Sequence, residues 1–516
     1  MILNLSNILA FLPAVTTAFP TPFSRGNDLI EALEKRQGLQ SVAGNFSTGA
    51  KIYTPDWPAF ANETGRWSTY DAPNFDLLFI PETEDDIAVA LRYLTSHNVP
   101  FLTQGGGHGY SPTLRVIQNA VQINMENFNQ ISMNPDNTIS IGGAAHFGDV
   151  YAVAYAAGRE LTLGSCPCVG TTGATLGGGH GRLQGKHGLS ADALIAMRIV
   201  LGNGTIVEAS ESSNPDLFWG MRGAGQNFGA VVKSTYQTYP AENNGRHYNA
   251  DMVFSDDSLE GVLETINHLI PGLDPALAMD LILFTDPSSM AHLIYLNLVY
   301  AGPQEQGEVY ANHFATTGNR THKRLAINRL ANNATELTFA ELPYQSAGGS
   351  IAAACARGYR QNTYSLNTLD FDVENTRALW ESYKAFTDAN TGAAGSLLLF
   401  EVFGQQAVVS ANAAATAVGN RDKANVLALF EMIYSQEDDD VAAAADQWAR
   451  GWRDTFSDPD LSGYDRLYVY QNYAHGDEPL QALYGYEPWR MKKLQKLKRT
   501  YDPTDSFSGY HAIPLR

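Results

Sequence analysis

A histidine and a cysteine, each set in a glycine-rich loop, are the residues whose placement points most directly to chemistry. His108 stands in Gln104-Gly105-Gly106-Gly107-His108-Gly109-Tyr110, and Cys166 in Gly164-Ser165-Cys166-Pro167-Cys168-Val169-Gly170-Thr171-Thr172-Gly173-Ala174-Thr175-Leu176-Gly177-Gly178-Gly179-His180-Gly181. Glycines at this density let the backbone take positive φ angles and approach a rigid ligand, at an entropic cost that a plain connector has no reason to carry. A cysteine held in such backbone and followed by proline is a candidate attachment point, because reactivity more than packing decides the use of a free thiol. Glu401 is the one carboxylate in the apolar run Leu397-Leu398-Leu399-Phe400-Glu401-Val402-Phe403, so it faces solvent, a partner or a site. Near the C-terminus Tyr468, Tyr470 and Tyr473 cluster around Asn472; such rings ordinarily bury apolar area in packing.

These residues need elements to position them. Phe75 to Ile80 reads as a strand, followed by a helix that Thr83 can cap, with acids in its first turn and apolar residues at helical spacing. Pro100 to Thr103 is again strand-like and runs into the His108 loop, which places backbone N–H groups where they can face a phosphate. Strand-like runs at 121–124 and 138–143 and a helix-like run from Phe147 to Ala154 come before the cysteine loop. After it, an apolar run from Ala193 to Leu201, the turn Gly202-Asn203-Gly204 and Thr205-Ile206-Val207 predict a hairpin. To about Pro240 the texture is mixed α+β. From there to about 455 it changes to longer helices and apolar strands at 280–284, 292–300 and 397–403, which reads as a second domain. The basic helix Met491 to Arg499 reads as a solvated surface.

At 516 residues the chain exceeds one ordinary domain. Hydrophobic residues make up 44% and charged residues 17%, which is a globular composition. The formal charge of −20 argues against nucleic acid and anionic membrane surfaces as partners. Residues 1–18 read as an export signal lacking the usual early basic charge, 19–45 as an N-terminal segment or propeptide with a dibasic Lys35-Arg36, and no later stretch reaches the roughly 18 uncharged apolar residues of a transmembrane helix. Sequons at Asn45, Asn62, Asn203, Asn319 and Asn333 fit a secreted glycoprotein. Three cysteines exclude a dense disulfide framework; if Cys166 holds a cofactor, Cys168 and Cys355 remain as a pair or as two free thiols. Cys166-Pro167-Cys168 has no second Cys/His pair at zinc-like spacing, so no metal site is expected. No obligate protein partner is evident.

The ordered set of motifs resembles the berberine bridge enzyme-like branch of the FAD-dependent vanillyl-alcohol oxidase and p-cresol methylhydroxylase superfamily. The likeness rests on the His108 loop, the Cys166 stretch, the run from Asp216-Leu217-Phe218-Trp219 to Gly229, and the terminal Asn472-Tyr473 and Tyr501-Asp502-Pro503. It implies an α+β fold, with a two-part FAD-binding domain of p-cresol methylhydroxylase type over 46–240 and a substrate domain at 241–455 built on an antiparallel sheet covered by helices. Residues 456–516 would return to the FAD domain. It further implies FAD bonded to His108 through the flavin C8 methyl group and to Cys166 through C6, with Gly105, Gly106, Gly107 and Gly109 around phosphate. Val169, Gly170, Thr172, Gly173, Gly177 and Asn472 would lie along the flavin and Val231 near its nucleotide part. Val169 matches a position where a small apolar side chain accompanies oxidase behaviour.

For chemistry the resemblance implies Tyr473 as base, oriented by Glu401, with Tyr470 as a competitor and Tyr110 lining the substrate. A phenol with a reference pKa near 10 needs such assistance to take a proton near neutral pH. His180 stands where the family often has an aromatic residue, and Gly109 where it often has serine. The expected activity is hydride transfer from an alcohol or ring carbon of a secondary metabolite or carbohydrate, with O2 reoxidation to H2O2. The alternatives are a flavin dehydrogenase with another acceptor and a secreted flavin-binding protein without turnover.

Overall fold

The computed structural model describes residues 38–39, 41–286, 288–316 and 326–516. The export signal, Lys35-Arg36 and the Asn319 sequon lie outside the described residues. Three main sheets organise the rest. In the first, strand β1 (Lys51–Tyr53) is antiparallel to β2 (Phe75–Ile80), while β2, β4 (Ala120–Asn124) and β3 (Phe101–Gln104) run parallel. The crossover from β2 to β3 is helix α1 (Glu84–Ser96), and its N-terminus carries a capping box. The Asp86 amide donates to Thr83 Oγ1 at 3.2 Å and the Thr83 amide to Asp86 Oδ2 at 2.8 Å. Its buried face, including Ile87, Leu91 and Leu94, packs on Leu77 and Phe79 of β2.

The second sheet is antiparallel, with β5 (Ile131–Met133), β6 (Thr138–Gly142), β9 (Ala230–Gln237), β7 (Leu194–Val200) and β8 (Ile206–Ser210) in that spatial order. The hairpin expected across Gly202-Asn203-Gly204 is β7–β8, with Gly204 at φ +78°. Helix α2 (Phe147–Ala156) packs beside β5, and short α3 (Thr171–Leu176) follows the Cys166 loop.

The third sheet has seven antiparallel strands: β10 (Arg246–Phe254), β11 (Leu277–Thr285), β12 (His292–Tyr300), β13 (Arg329–Thr338), β14 (Arg360–Thr368), β15 (Leu397–Phe403) and β16 (Val426–Tyr434). Their spatial order is β13-β10-β12-β11-β15-β16-β14. Because side chains alternate along a strand, Leu281, Leu283, Leu398, Phe400, Phe430 and Met432 share one face. They form a hydrophobic core with Leu379, Trp380 and Tyr383 of helix α4 (Val373–Ala389). Helix α5 (Asp439–Phe456) packs on β14 and β16. The intervening residues, Asp280, Ile282, Leu399, Glu401, Leu429 and Glu431, are left for the opposite face. This is the α+β architecture expected, a helix-covered antiparallel sheet beside a two-part unit.

Candidate active site

A cavity of about 480 Å³ lies where both glycine loops, the inner face of the third sheet and the C-terminal segment meet. The loops are drawn together backbone to backbone. A Cβ on Gly106 would stand 2.5 Å from the Gly170 nitrogen, and one on Gly170 would stand 2.8 Å from the Gly106 nitrogen, so neither position accepts a side chain without the loops parting. Gly107 has φ +73°. Among the described residues, the amides of Gly106, Gly107, His108 and Gly109 find no protein acceptor. A Cβ on Gly173 would meet nothing within 4 Å, so open space lies beside it. Thr172 Oγ1, Tyr110 Oη and Arg66 Nε are buried without partners. Unclaimed donors, orphaned polar atoms and a backbone cradle are what a large phosphate-bearing cofactor requires.

His108 stacks on Trp67 with ring centroids 4.8 Å apart, and its Nε2 lies 3.1 Å from Cys168 Sγ. Burial, reinforced by the Arg357 and Arg66 charges, drops its pKa to about 3, so the ring is neutral and keeps a free lone pair. Cys168 pairs with Cys355 in a disulfide, which settles the arrangement left open by the cysteine count, and Cys166 is the free thiol. Cys166 Sγ lies 3.4 Å from Cys168 Sγ and 3.9 Å from Cys355 Sγ. Burial pushes its pKa up to about 12. His108, Cys166 and Cys168 offer ligand atoms within 4.8 Å of one another, but the disulfide occupies the Cys168 sulfur.

The opposite wall carries the proton-handling groups. Asp280 of β11 lies directly across the ladder from Glu401 of β15. The Tyr473 phenol is within hydrogen-bonding reach of the Glu401 carboxyl, while Glu401 Oε2 has no partner. Burial first and the Asp280 charge next push Glu401 up to about 8, and burial raises Asp280 as well despite its ion pair with Arg182 at 2.9 Å. Burial and the Glu401 charge hold Tyr473 far above the ordinary phenol value.

Tyr470 packs edge-on to Tyr473, but its oxygen accepts from the amides of Gly179 and His180, both at 3.2 Å, and from Asn472 Nδ2 at 2.6 Å. Asn472 also donates to the Ala174 carbonyl. Tyr470 and Asn472 thus fasten the cysteine loop to the C-terminal segment. His180 lines the cavity with Nδ1 2.9 Å from Gln184 Oε1, and Tyr110 and Val231 line it too.

Gly105, Val169 and the other expected flavin-side residues lie on this cavity, with Gly177 as the exception. Gly177 is packed against the C-terminal segment, where a Cβ would collide with Asn472 Oδ1 and Gln471 Oε1. The basic helix, here α6 (Pro488–Tyr501), keeps Lys492, Lys496 and Arg499 exposed as its sequence predicts, whereas Lys498 on it is fully buried, bonded to Asp502 Oδ2 at 2.6 Å and to the Phe507 carbonyl at 2.8 Å. Asp280, Arg182 and Glu431 were not singled out from the sequence. Asp280 and Glu431 carried the same signal as Glu401, an acid inside an apolar strand.

The family model for the FAD binding domain matches residues 75–210. The FAD-linked oxidoreductase OXR1 of Pyricularia oryzae is 34% identical over 480 residues, covering 92% of this chain and 91% of that protein. The chain therefore belongs to the FAD-linked oxidoreductases, and it binds FAD. Among solved structures, the BBE-like 1 protein of Physcomitrella patens is 20% identical with a TM-score of 0.77, covering 93% of this chain and 99% of that one. Glucooligosaccharide oxidase of Acremonium strictum is 20% identical with a TM-score of 0.75, covering 93% and 99%. The fold is that of the berberine bridge enzyme-like proteins, as the sequence motifs implied.

Proposed function

We propose that this chain is an exported oxidase that takes hydride from an alcohol or ring carbon of a small organic substrate, with FAD bonded to both His108 and Cys166. The observation that carries this reading is the convergence on one cavity of His108 and Cys166 from two glycine loops with Tyr473 and Glu401 from the facing wall. Bound FAD supplies a hydride acceptor that O2 can reoxidise, giving H2O2. Each linkage would replace one C–H bond of the flavin, with neutral His108 offering the lone pair and Cys166 losing its thiol proton, and the two electrons released at each would pass to O2. Glucooligosaccharide oxidase of Acremonium strictum carries a 6-S-cysteinyl, 8α-N1-histidyl FAD, which supports this pair of linkages.

Tyr473 alone is a poor base, since burial disfavours its phenolate. Its oxygen can take the substrate hydroxyl proton as its own proton passes to Glu401, whose carboxyl, pushed up to about 8, accepts protons more readily than an ordinary carboxylate. Val169 on the cavity wall supports O2 as the acceptor. The exposed sequons at Asn45, Asn62, Asn203 and Asn333 and the Cys168–Cys355 disulfide support export to an oxidising compartment. The apolar side chains of Ile282, Phe284, Leu397, Leu399 and Leu429 on the cavity wall favour a secondary metabolite over a carbohydrate.

Acid precipitation tests the attachment. The wild-type pellet and a Cys166→Ala pellet should stay yellow, and a His108→Ala/Cys166→Ala pellet should be colourless. A colourless wild-type pellet with free FAD in the supernatant overturns the covalent reading, and bleaching of the flavin by an alcohol without peroxide release overturns the oxidase reading.

A further inference from the structure

Of the two cysteines in the second glycine loop, the proposed chemistry uses Cys166 and leaves Cys168. Cys166 Sγ lies 3.4 Å from Cys168 Sγ and 3.9 Å from Cys355 Sγ, and its thiol donates to the Ile351 carbonyl at 3.7 Å. Three sulfurs in one cluster allow three pairings, and only Cys168–Cys355 leaves Cys166 with a thiol. A sulfur already paired is no longer a nucleophile, and a bond from it to a cofactor is closed off.

Cys355 is carried to this point by a segment that touches both glycine loops. It follows the helical turn Ser350–Ala353, and Ser350, Ile351 and Ala354 line the cavity. The Ala354 carbonyl accepts at 2.7 Å from Nε1 of Trp67, the indole that stacks on His108, and Arg357 Nη2 donates to the Gly106 carbonyl at 3.1 Å. These bonds bring the Cys355 sulfur to the cysteine loop whichever sulfur of that loop it takes. Proximity alone therefore does not choose between Cys166 and Cys168.

Folding sets the choice and burial keeps it. A disulfide forms when two thiols lose two protons and pass two electrons to a disulfide donor, and in an oxidising compartment this happens as the chain folds, while the sulfurs still meet solvent. Once the chain has folded, burial pushes the Cys166 thiol up to about 12, which starves it of the thiolate that would attack the neighbouring disulfide.

We infer that Cys168 is a guard residue: by occupying Cys355 it keeps Cys166 unpaired for its bond to the flavin. The inference rests on the attachment proposed above and adds the residue that secures it. It carries a reversal that a purely structural disulfide does not show. Removing Cys168 alone hands Cys355 to Cys166 and forfeits the second flavin bond, whereas removing Cys168 and Cys355 together restores that bond although the disulfide is gone.

The test is peptide mapping by mass spectrometry, without reductant, of the secreted, FAD-loaded protein digested after its free thiols are blocked. In the wild type the flavin should bridge the peptides of His108 and Cys166. Cys168→Ser should carry flavin on His108 alone, together with a Cys166–Cys355 disulfide. Cys168→Ser/Cys355→Ser should regain the bridged species at close to the wild-type yield. Cys168→Val, which fills the volume of the lost thiol with apolar atoms, repeats the single-variant arm if serine in this buried cluster impairs secretion.

Bridged flavin at the wild-type level in Cys168→Ser or Cys168→Val overturns the inference while leaving both attachments standing. A double variant as poor in bridged flavin as the single one also overturns it, because the disulfide would then act only through the fold. A wild type with no flavin on Cys166 overturns the attachment and the inference together.

Discussion

At Glu401 two effects act in one direction: removal of water and the facing Asp280 charge both favour the protonated acid. The role given to Glu401 requires the ionised form, which can accept the Tyr473 proton. The rate of flavin reduction by substrate should therefore rise with pH through an apparent pKa of about 8 and be low beneath it. Glu401→Gln keeps the shape but removes the acceptor, so it should erase that limb and slow reduction by about 10²- to 10⁴-fold, as followed by stopped-flow absorbance. A surviving limb in Glu401→Gln would assign the titration to another group. His108, Cys166 and Glu401 were legible in the sequence because each stands out from its immediate neighbours. The pairing of Asp280 with Glu401 was not, because it exists only once β11 and β15 are in register, and nothing local to either strand states that register.

Among the elements, the meeting of the two glycine loops sets the width of the cofactor cradle. Gly106→Ala would press a methyl group onto the Gly170 amide, where backbone on both sides leaves little room to yield. The expected cost is about 1 to 3 kcal/mol of stability. Flavin content should fall as well, measured as the ratio of flavin to protein absorbance after purification; full flavin loading with unchanged stability would show that the loops part freely. The helix after β2 could be read from Thr83, its acids and its apolar spacing, since a capping box is local information. The burial of Lys498 could not, because a run of lysines and arginines predicts a wet face unless the covering segment is known. Here the covering groups are Asp502 and the chain around Phe507.

Across the whole molecule the C-terminal segment ties the walls of the cavity to each other. Asn472 bonds to the cysteine loop, Arg490 to the carbonyls of Ala413 and Thr416, Lys498 to the Asn227 carbonyl at 3.4 Å, and Tyr501 to Asp216. Tyr473 reaches the cavity from this same segment, so the proton-handling end depends on anchors far along the chain. Lys498 and Asp502 are both buried, and Lys498→Met would leave Asp502 as an uncompensated buried charge at a cost of about 3 to 5 kcal/mol. If the segment clamps the cavity, flavin environment and global structure should be lost at the same reduced denaturant concentration in Lys498→Met, monitored by visible and far-ultraviolet circular dichroism. Lys498→Met/Asp502→Leu should recover much of the loss because no charge is stranded. A Lys498→Met protein that kept the wild-type unfolding midpoint for the flavin signal would show instead that the pair secures only its own helix end.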